Sequence, residues 1–411
     1  MKQIVCVCVL FLLAASATTV VAECQIKGKG EVSGITSSFP VLEVLADAME
    51  SCNNDDLKVS IKLTTQAKEE IPQAFSAATS PYDMAQVANS SFTPLQAAGQ
   101  LQALDDLVEK YREAYNLEDG MLIEAGGKIM AIAFQVNAQH LYYRKDIFDK
   151  HGIEVPTTYD EVLAVAEKLK GEESIEFPLG GTYKSGWNLA QEFVNIYLGH
   201  GADLFKPGTA EPVFDGEAGI KTLELMKKLR SYMSPNALAL DTTAVMQQFQ
   251  QGKIAMANFW ASRAVKMDDE TESKVVGLIE FSAAPAIKKG GKPATTLWWD
   301  GFVLPTNMDG DRDLTFQVMM EGLKAEVVEN NNDEAIWLRS NYKPTRFSKG
   351  AFASAAGGAP SYPLMPQFTL AHSAIGSNIG DYLSGEESAS ESLKDAAESY
   401  RTAAREKGYL K

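Results

Sequence analysis

The sequence is poor in residues that build metal and redox centres. Its four histidines, His140, His151, His200 and His372, are scattered, and its four cysteines form no C-x-x-C pair. That excludes the common zinc and dithiol motifs. Beyond residue 22 no stretch stays apolar for the roughly 18 residues that a membrane span needs. Basic residues are outnumbered, 38 Lys and Arg against 54 Asp and Glu, for a formal charge of −16. An acidic balance of that size argues against nucleic acid or an anionic membrane as partner. There is no collagen period, heptad run or long Pro/Gly/Ser tract, so fibrous and disordered readings fail. G-x-S-x-G, P-loop, G-x-G-x-x-G, H-E-x-x-H and EF-hand patterns are all absent, so no cofactor and no metal is expected.

What is present begins with a leader. Met1-Lys2-Gln3, an apolar run from Ile4 to Ala17 and the small-residue exit Val20-Val21-Ala22 read as a signal peptide over 1–22. Glu23 stands before Cys24 where a lipoprotein signal needs a small residue, so export without a lipid is expected, into the periplasm. Cys6 and Cys8 leave with the leader. Cys24 and Cys52 remain, an even count in an oxidising compartment, which predicts one disulfide.

The remaining length suits two or three domains. Glu31–Ile35 reads as a strand, Pro40 opens a helix with Val41, Val44, Leu45, Ala48 and Met49 on one face, and Leu57–Leu63 alternates with period two. Tyr82–Val87 and Lys128–Val136 continue an α/β pattern with a largely parallel sheet. After residue 137 the pattern restarts. Thr158-Tyr-Asp-Glu161 is a capping box, Asp215 is placed to cap a second helix, and Gly252–Asn258 reads as a strand. The C-terminal third reads as helical, including Glu334–Leu338.

Tryptophan is the unusual feature. Trp187, Trp260, Trp298 and Trp299 sit beside glycines or small polar residues instead of inside apolar stripes. Flat aromatic faces next to hydrogen-bonding side chains suit sugars, whose rings have apolar faces and polar edges. The alternative is that these are core aromatics. Acidic pairs such as Asp105/Asp106 and Asp268/Asp269 could in principle serve an exported glycan-processing enzyme, although adjacent acids seldom flank one bond.

Several passages together resemble a known family. Tyr82-Asp83-Met84 precedes an L-x-x-x-G-x-L-x-x-L-D run from Leu95 to Asp105. Ile132-Ala-Phe134 leads through Leu141-Tyr-Tyr143-Arg-Lys-Asp146 to Gly152 and Pro156-Thr157-Thr158-Tyr159. Gly252-Lys-Ile-Ala-Met256 comes before Trp260, and Trp298–Asn307 is followed by Tyr342-Lys-Pro-Thr-Arg346. In this order they resemble the sugar-binding extracellular solute-binding proteins of ABC importers, family 1, the group that includes maltose-binding protein.

The resemblance implies a type II periplasmic-binding-protein fold, two α/β lobes hinged around a ligand cleft. It places 23–134 with 300–345 in one lobe and 135–299 with 346–411 in the other. It implies a monomer that captures a sugar or sugar derivative, passes it to the transmembrane permease subunits and catalyses nothing. By analogy the cleft draws on Ser37, Ser38, Phe39, Gln66, Asp83 and Asn137 from one lobe. Trp187, Trp260, Trp298 or Trp299, Asp300 and Arg346 come from the other lobe. An arginine there leaves an anionic sugar or glycerol-phosphate ligand open. The Tyr142-Tyr143 pair raises a ferric-ion binder as a further alternative.

Overall fold

The computed structural model describes Cys24 and residues 26–411; the expected leader lies outside these residues. Among them, eleven strands form two sheets: β1 (Gly30–Ser37), β2 (Leu57–Thr64), β3 (Met84–Ala88), β4 (Leu122–Ala125), β5 (Lys128–Asn137), β6 (Gln139–Arg144), β7 (Phe177–Leu179), β8 (Ile254–Trp260), β9 (Ile279–Ser282), β10 (Trp298–Val303) and β11 (Ile336–Trp337). The first sheet runs β11-β5-β10-β3-β1-β2, with β4 also paired to β5, and the second runs β7-β8-β6-β9. β5 belongs to the first sheet and β6 to the second, with only Ala138 between them.

The expected largely parallel sheet is not what forms. β1 is parallel to β2 and β3, and β7 to β8, but β4, β10 and β11 enter antiparallel. Part of the reason is local. Gly126 and Gly127, at φ 62° and 73°, close a two-residue hairpin between β4 and β5, and a hairpin makes antiparallel neighbours.

The alternating sequence of β2 buries Leu57, Val59 and Ile61 and exposes the lysines and serine between them. Pro40 starts the helix Pro40–Glu50, where its missing N–H costs nothing, and Val41, Leu45 and Met49 are fully buried. Cys24 and Cys52 are disulfide-bonded, tying the chain before β1 to the turn after that helix. Thr158 caps Tyr159–Lys168 as expected, accepting from the Glu161 amide.

Asp215 caps nothing. Gly216 is the cap residue of Glu217–Arg230, and Asp215 instead faces Arg401 at 3.6 Å. Glu334–Leu338 contains strand β11, because Ile336 and Trp337 pair with Val136 and Gln135 at the edge of β5.

Each sheet has its own core. One cluster joins Leu45, Met84, Phe134, Phe302 and Phe316 around the first sheet. The larger one joins Phe193, Tyr197, Met256 and Phe368 with the C-terminal helix Ala389–Glu406 around the second. Among the described residues no helix is long and apolar enough to cross a membrane.

Candidate functional site

A cavity of about 860 Å³ lies between the two sheets. It opens where β1, β3 and β5 end, because parallel strands leave a crevice at their carboxyl edge. Ser37, Ser38 and Phe39, in the turn from β1 into Pro40–Glu50, line it, as do Gln66 at the start of the helix Ala67–Ser76 and Asn137 at the end of β5. Trp187, Trp260, Trp298 and Asp300 complete the part of the wall that sequence reasoning expected, but Trp298 and Asp300 come from β10 of the first sheet and not from the other lobe, because β10 enters between β3 and β5.

The three tryptophans pack as one unit. Trp187 and Trp260 lie 6.3 Å apart at 27°, and Trp298 meets them edge-on at 5.7 and 5.6 Å. Trp187 is the first residue of the helix Trp187–Gly199, entered through Gly186 at φ 95°, a backbone conformation that glycine adopts freely. Beneath it, His372 Nε2 lies 3.0 Å from the Trp187 carbonyl and Nδ1 lies 2.9 Å from the Tyr362 hydroxyl. A carbonyl only accepts, so the proton sits on Nε2 and Tyr362 donates to Nδ1. Burial holds this imidazole neutral, with its pKa lowered to about 3. The Trp298 indole N–H donates to Thr296 at 2.9 Å, fixing its ring.

Asp300 is 6% exposed and accepts from the side-chain amides of Gln86 and Gln135, each at 2.8 Å. Burial raises its pKa to about 6 against those bonds and the nearby cations. Asn137 is engaged as well: it donates to Ser262 Oγ at 3.1 Å and accepts from the Ser262 amide at 3.2 Å, linking the β5–β6 crossing to the segment after β8.

Three expected residues lie elsewhere. Asp83 is at the opposite end of β3, where it accepts from the Ser33 amide and hydroxyl at 2.8 and 3.0 Å. The strand runs from there toward the cavity, so Gln86 and Ala88 reach it instead. Trp299 follows Trp298 on a strand, and successive side chains point to opposite faces, so it packs on Phe92 at 5.3 Å. Arg346 is held by Asp268, by Glu280 at 3.7 Å and by the Ile279 carbonyl at 2.8 Å, outside the cavity lining. The same alternation separates Tyr142 and Tyr143. Tyr142 is fully buried and donates to the Trp260 carbonyl at 2.5 Å, whereas Tyr143 packs against Phe148. The pair therefore cannot converge on one ferric ion.

Sequence reasoning missed the cavity's cations. The Lys68 ammonium lies 3.2 Å from the centre of the Trp187 ring system, and the Arg263 guanidinium 4.8 Å from that of Phe39. Lys68 lines the crevice, and desolvation lowers its pKa to about 8, although its side chain remains exposed. Desolvation likewise lowers Arg263 to about 10. Lys68 is two residues beyond Gln66 and Arg263 three beyond Trp260. Proximity to an expected cleft residue was the available signal.

The family described as bacterial extracellular solute-binding protein matches residues 35–309. The mannitol-binding protein of Pseudomonas aeruginosa is 25% identical over 189 residues, 44% of this chain and 41% of that protein. The matched stretch thus spans about two fifths of that curated relative. Among solved structures, the ABC transporter solute-binding protein of Agrobacterium radiobacter K84 in complex with ribitol superposes with a TM-score of 0.79 at 22% identity, covering 92% of this chain and 99% of that one. Maltose-bound MalE3 of T. maritima gives 0.78 at 19%, covering 91% and 99%. The fold is therefore the type II periplasmic-binding-protein fold. With a family match over more than half of its length, the chain belongs to the bacterial extracellular solute-binding proteins.

Proposed function

We propose that this chain is the substrate-capture component of an ABC importer, which binds a sugar or polyol in the periplasm and delivers it to the permease without chemical change. The observation that carries this is the cavity: three packed tryptophans facing Gln66, Asp300 and the serines of the β1 turn, between two separately cored sheets. Apolar C–H faces suit the indoles, and hydroxyls suit the amide and carboxylate oxygens. The ligands named for the similar proteins, mannitol, ribitol and maltose, are of that class.

The lobes are 23–134 with 300–345 and 135–299 with 346–411, working as a monomer that presents both to its membrane partner. Strand membership supports this division in outline, since β11 joins the first sheet and β6 to β9 the second, although β5 and β10 run past its bounds, with residues 135–137 and 298–299 still paired in the first sheet. Ligand closes the lobes by binding both at once. The exported compartment fits the disulfide and the family.

A thermal-shift screen tests the reading: protein lacking residues 1–22, unfolded and refolded to strip carried ligand, against neutral and acidic sugars and polyols at ~1 mM. A micromolar ligand at that excess adds about 4 kcal/mol and raises the melting temperature by several degrees. A hit recovered unchanged after long incubation supports capture without turnover; a hit converted to product overturns it.

A further inference from the structure

Lys68 and Arg263 both line the cavity and neither has an acidic partner. Among the described residues no acid oxygen lies within 4.0 Å of a side-chain nitrogen of either, and Arg263 donates no hydrogen bond. Its Nη1 is buried without an acceptor. Other arginines find oxygen: Arg144 meets Asp146 at 2.6 Å, Arg339 the Tyr115 carbonyl at 2.8 Å, and Arg401 Glu211 at 2.9 Å. Arg230 also lacks an acceptor, but it ends its helix, where the dipole favours a cation, and it is not part of the cavity wall. Lys184, at the same cavity, is neutralised by Asp241 at 3.1 Å.

Asp300 is the one carboxylate that acts on both unpaired cations, and both of its oxygens are already engaged by Gln86 and Gln135. Glu69 acts on Lys68 alone and Glu43 on Arg263 alone, both from beyond 4.0 Å. A buried guanidinium nitrogen without an acceptor is costly, and an anion supplied from outside removes that cost. The acidic surface of the protein does not forbid this, because salt screens diffuse charge over about 8 Å while contact pairs persist.

We infer that the ligand of this cleft carries an acidic group, a carboxylate or phosphate on a polyhydroxylated carbon chain, received by Arg263 and Lys68. This rests on the proposed function and narrows it. Arg263, backed by Phe39, offers a planar fork that matches a carboxylate or phosphate. Lys68, on a flexible stem, leaves the Trp187 face to the sugar carbons and swings onto the anion.

Calorimetry on the refolded protein with matched probes tests this: D-gluconate against D-glucitol, D-glucuronate against D-glucose, and D-glucose 6-phosphate against D-glucose. The expected result is an acidic member at least about 30-fold tighter than its neutral partner, with Arg263→Gln and Lys68→Gln each cutting that discrimination tenfold or more and Arg263→Lys keeping part of it. Lys68 is exposed to the cavity, so Lys68→Gln gives the reading even where an Arg263 variant misfolds. A neutral partner that binds as tightly as its acid overturns this inference and leaves the proposed function standing. Discrimination unchanged in both folded glutamine variants also overturns it. Binding by no sugar or polyol of either kind overturns both.

Discussion

The Lys68 ammonium rests 3.2 Å from the Trp187 ring centre, joining the helix that follows β2 to the helix that lines the far wall of the cavity. The contact occupies the indole face on which a sugar would stack. If the proposed function holds, ligand binding is expected to move this cation off the ring and change the tryptophan emission. Trp187→Ala is expected to weaken binding at least about 30-fold, the scale of a buried aromatic anchor, and Trp187→Phe by much less. Fluorescence titration of the three proteins checks this; equal affinities remove Trp187 from the site.

Gly376 sets the position of that tryptophan. A Cβ there would lie 2.1 Å from the Gly186 carbonyl oxygen, one residue before Trp187, and the Gly186 amide donates to the Gly376 carbonyl at 2.9 Å. Backbone must move to admit a methyl, so Gly376→Ala is expected to cost about 1–3 kcal/mol and to weaken binding by displacing the indole. Unchanged melting and affinity would show that the close approach is dispensable.

Glu192 couples stability to pH. It is 5% exposed, accepts from Gln139 at 3.0 Å and from Thr182, and burial raises its pKa from 4.5 to about 7. The folded protein keeps a proton that the unfolded chain loses between pH 4.5 and 7, so this group's contribution to stability falls as pH rises through that window. Glu192→Gln removes the effect and gains stability at pH 8 on the order of 3 kcal/mol as an upper bound. Melting temperatures of both proteins from pH 4.5 to 8 test it. The gap between them should widen with pH, and a constant gap contradicts the assignment.

The disulfide closes a sequence separation of 28 residues. Loop entropy assigns it roughly 3–4 kcal/mol. Replacing both cysteines by serine should lower the urea midpoint accordingly and leave ligand affinity intact, because neither cysteine lines the cavity. Loss of affinity in the folded variant would place the N-terminal staple in control of the cleft.

Much of this was legible in the sequence where the determinant is local. The period-two run Leu57–Leu63 became β2, Pro40 opened its helix and Thr158 capped Tyr159–Lys168. Asp83, Trp299 and Arg346 show where local reading ends. A residue beside a strand can sit at either end of it, and Asp83 sits at the end away from the cavity. Alternation says that Trp298 and Trp299 part company but not which one meets ligand. Arg346 was drawn away by Asp268, 78 residues distant in sequence. The unpaired state of Lys68 and Arg263 is likewise a property of everything around them, so no spacing announces it.

The most direct measurement is a titration of the refolded protein with each screened sugar, polyol and sugar acid, followed by small-angle scattering and tryptophan emission together. A hinged capture protein should show at least one ligand that saturates both signals at one equivalent, with a smaller radius of gyration in the bound state. A folded protein in which no member of the screen changes either signal would contradict capture in this cleft.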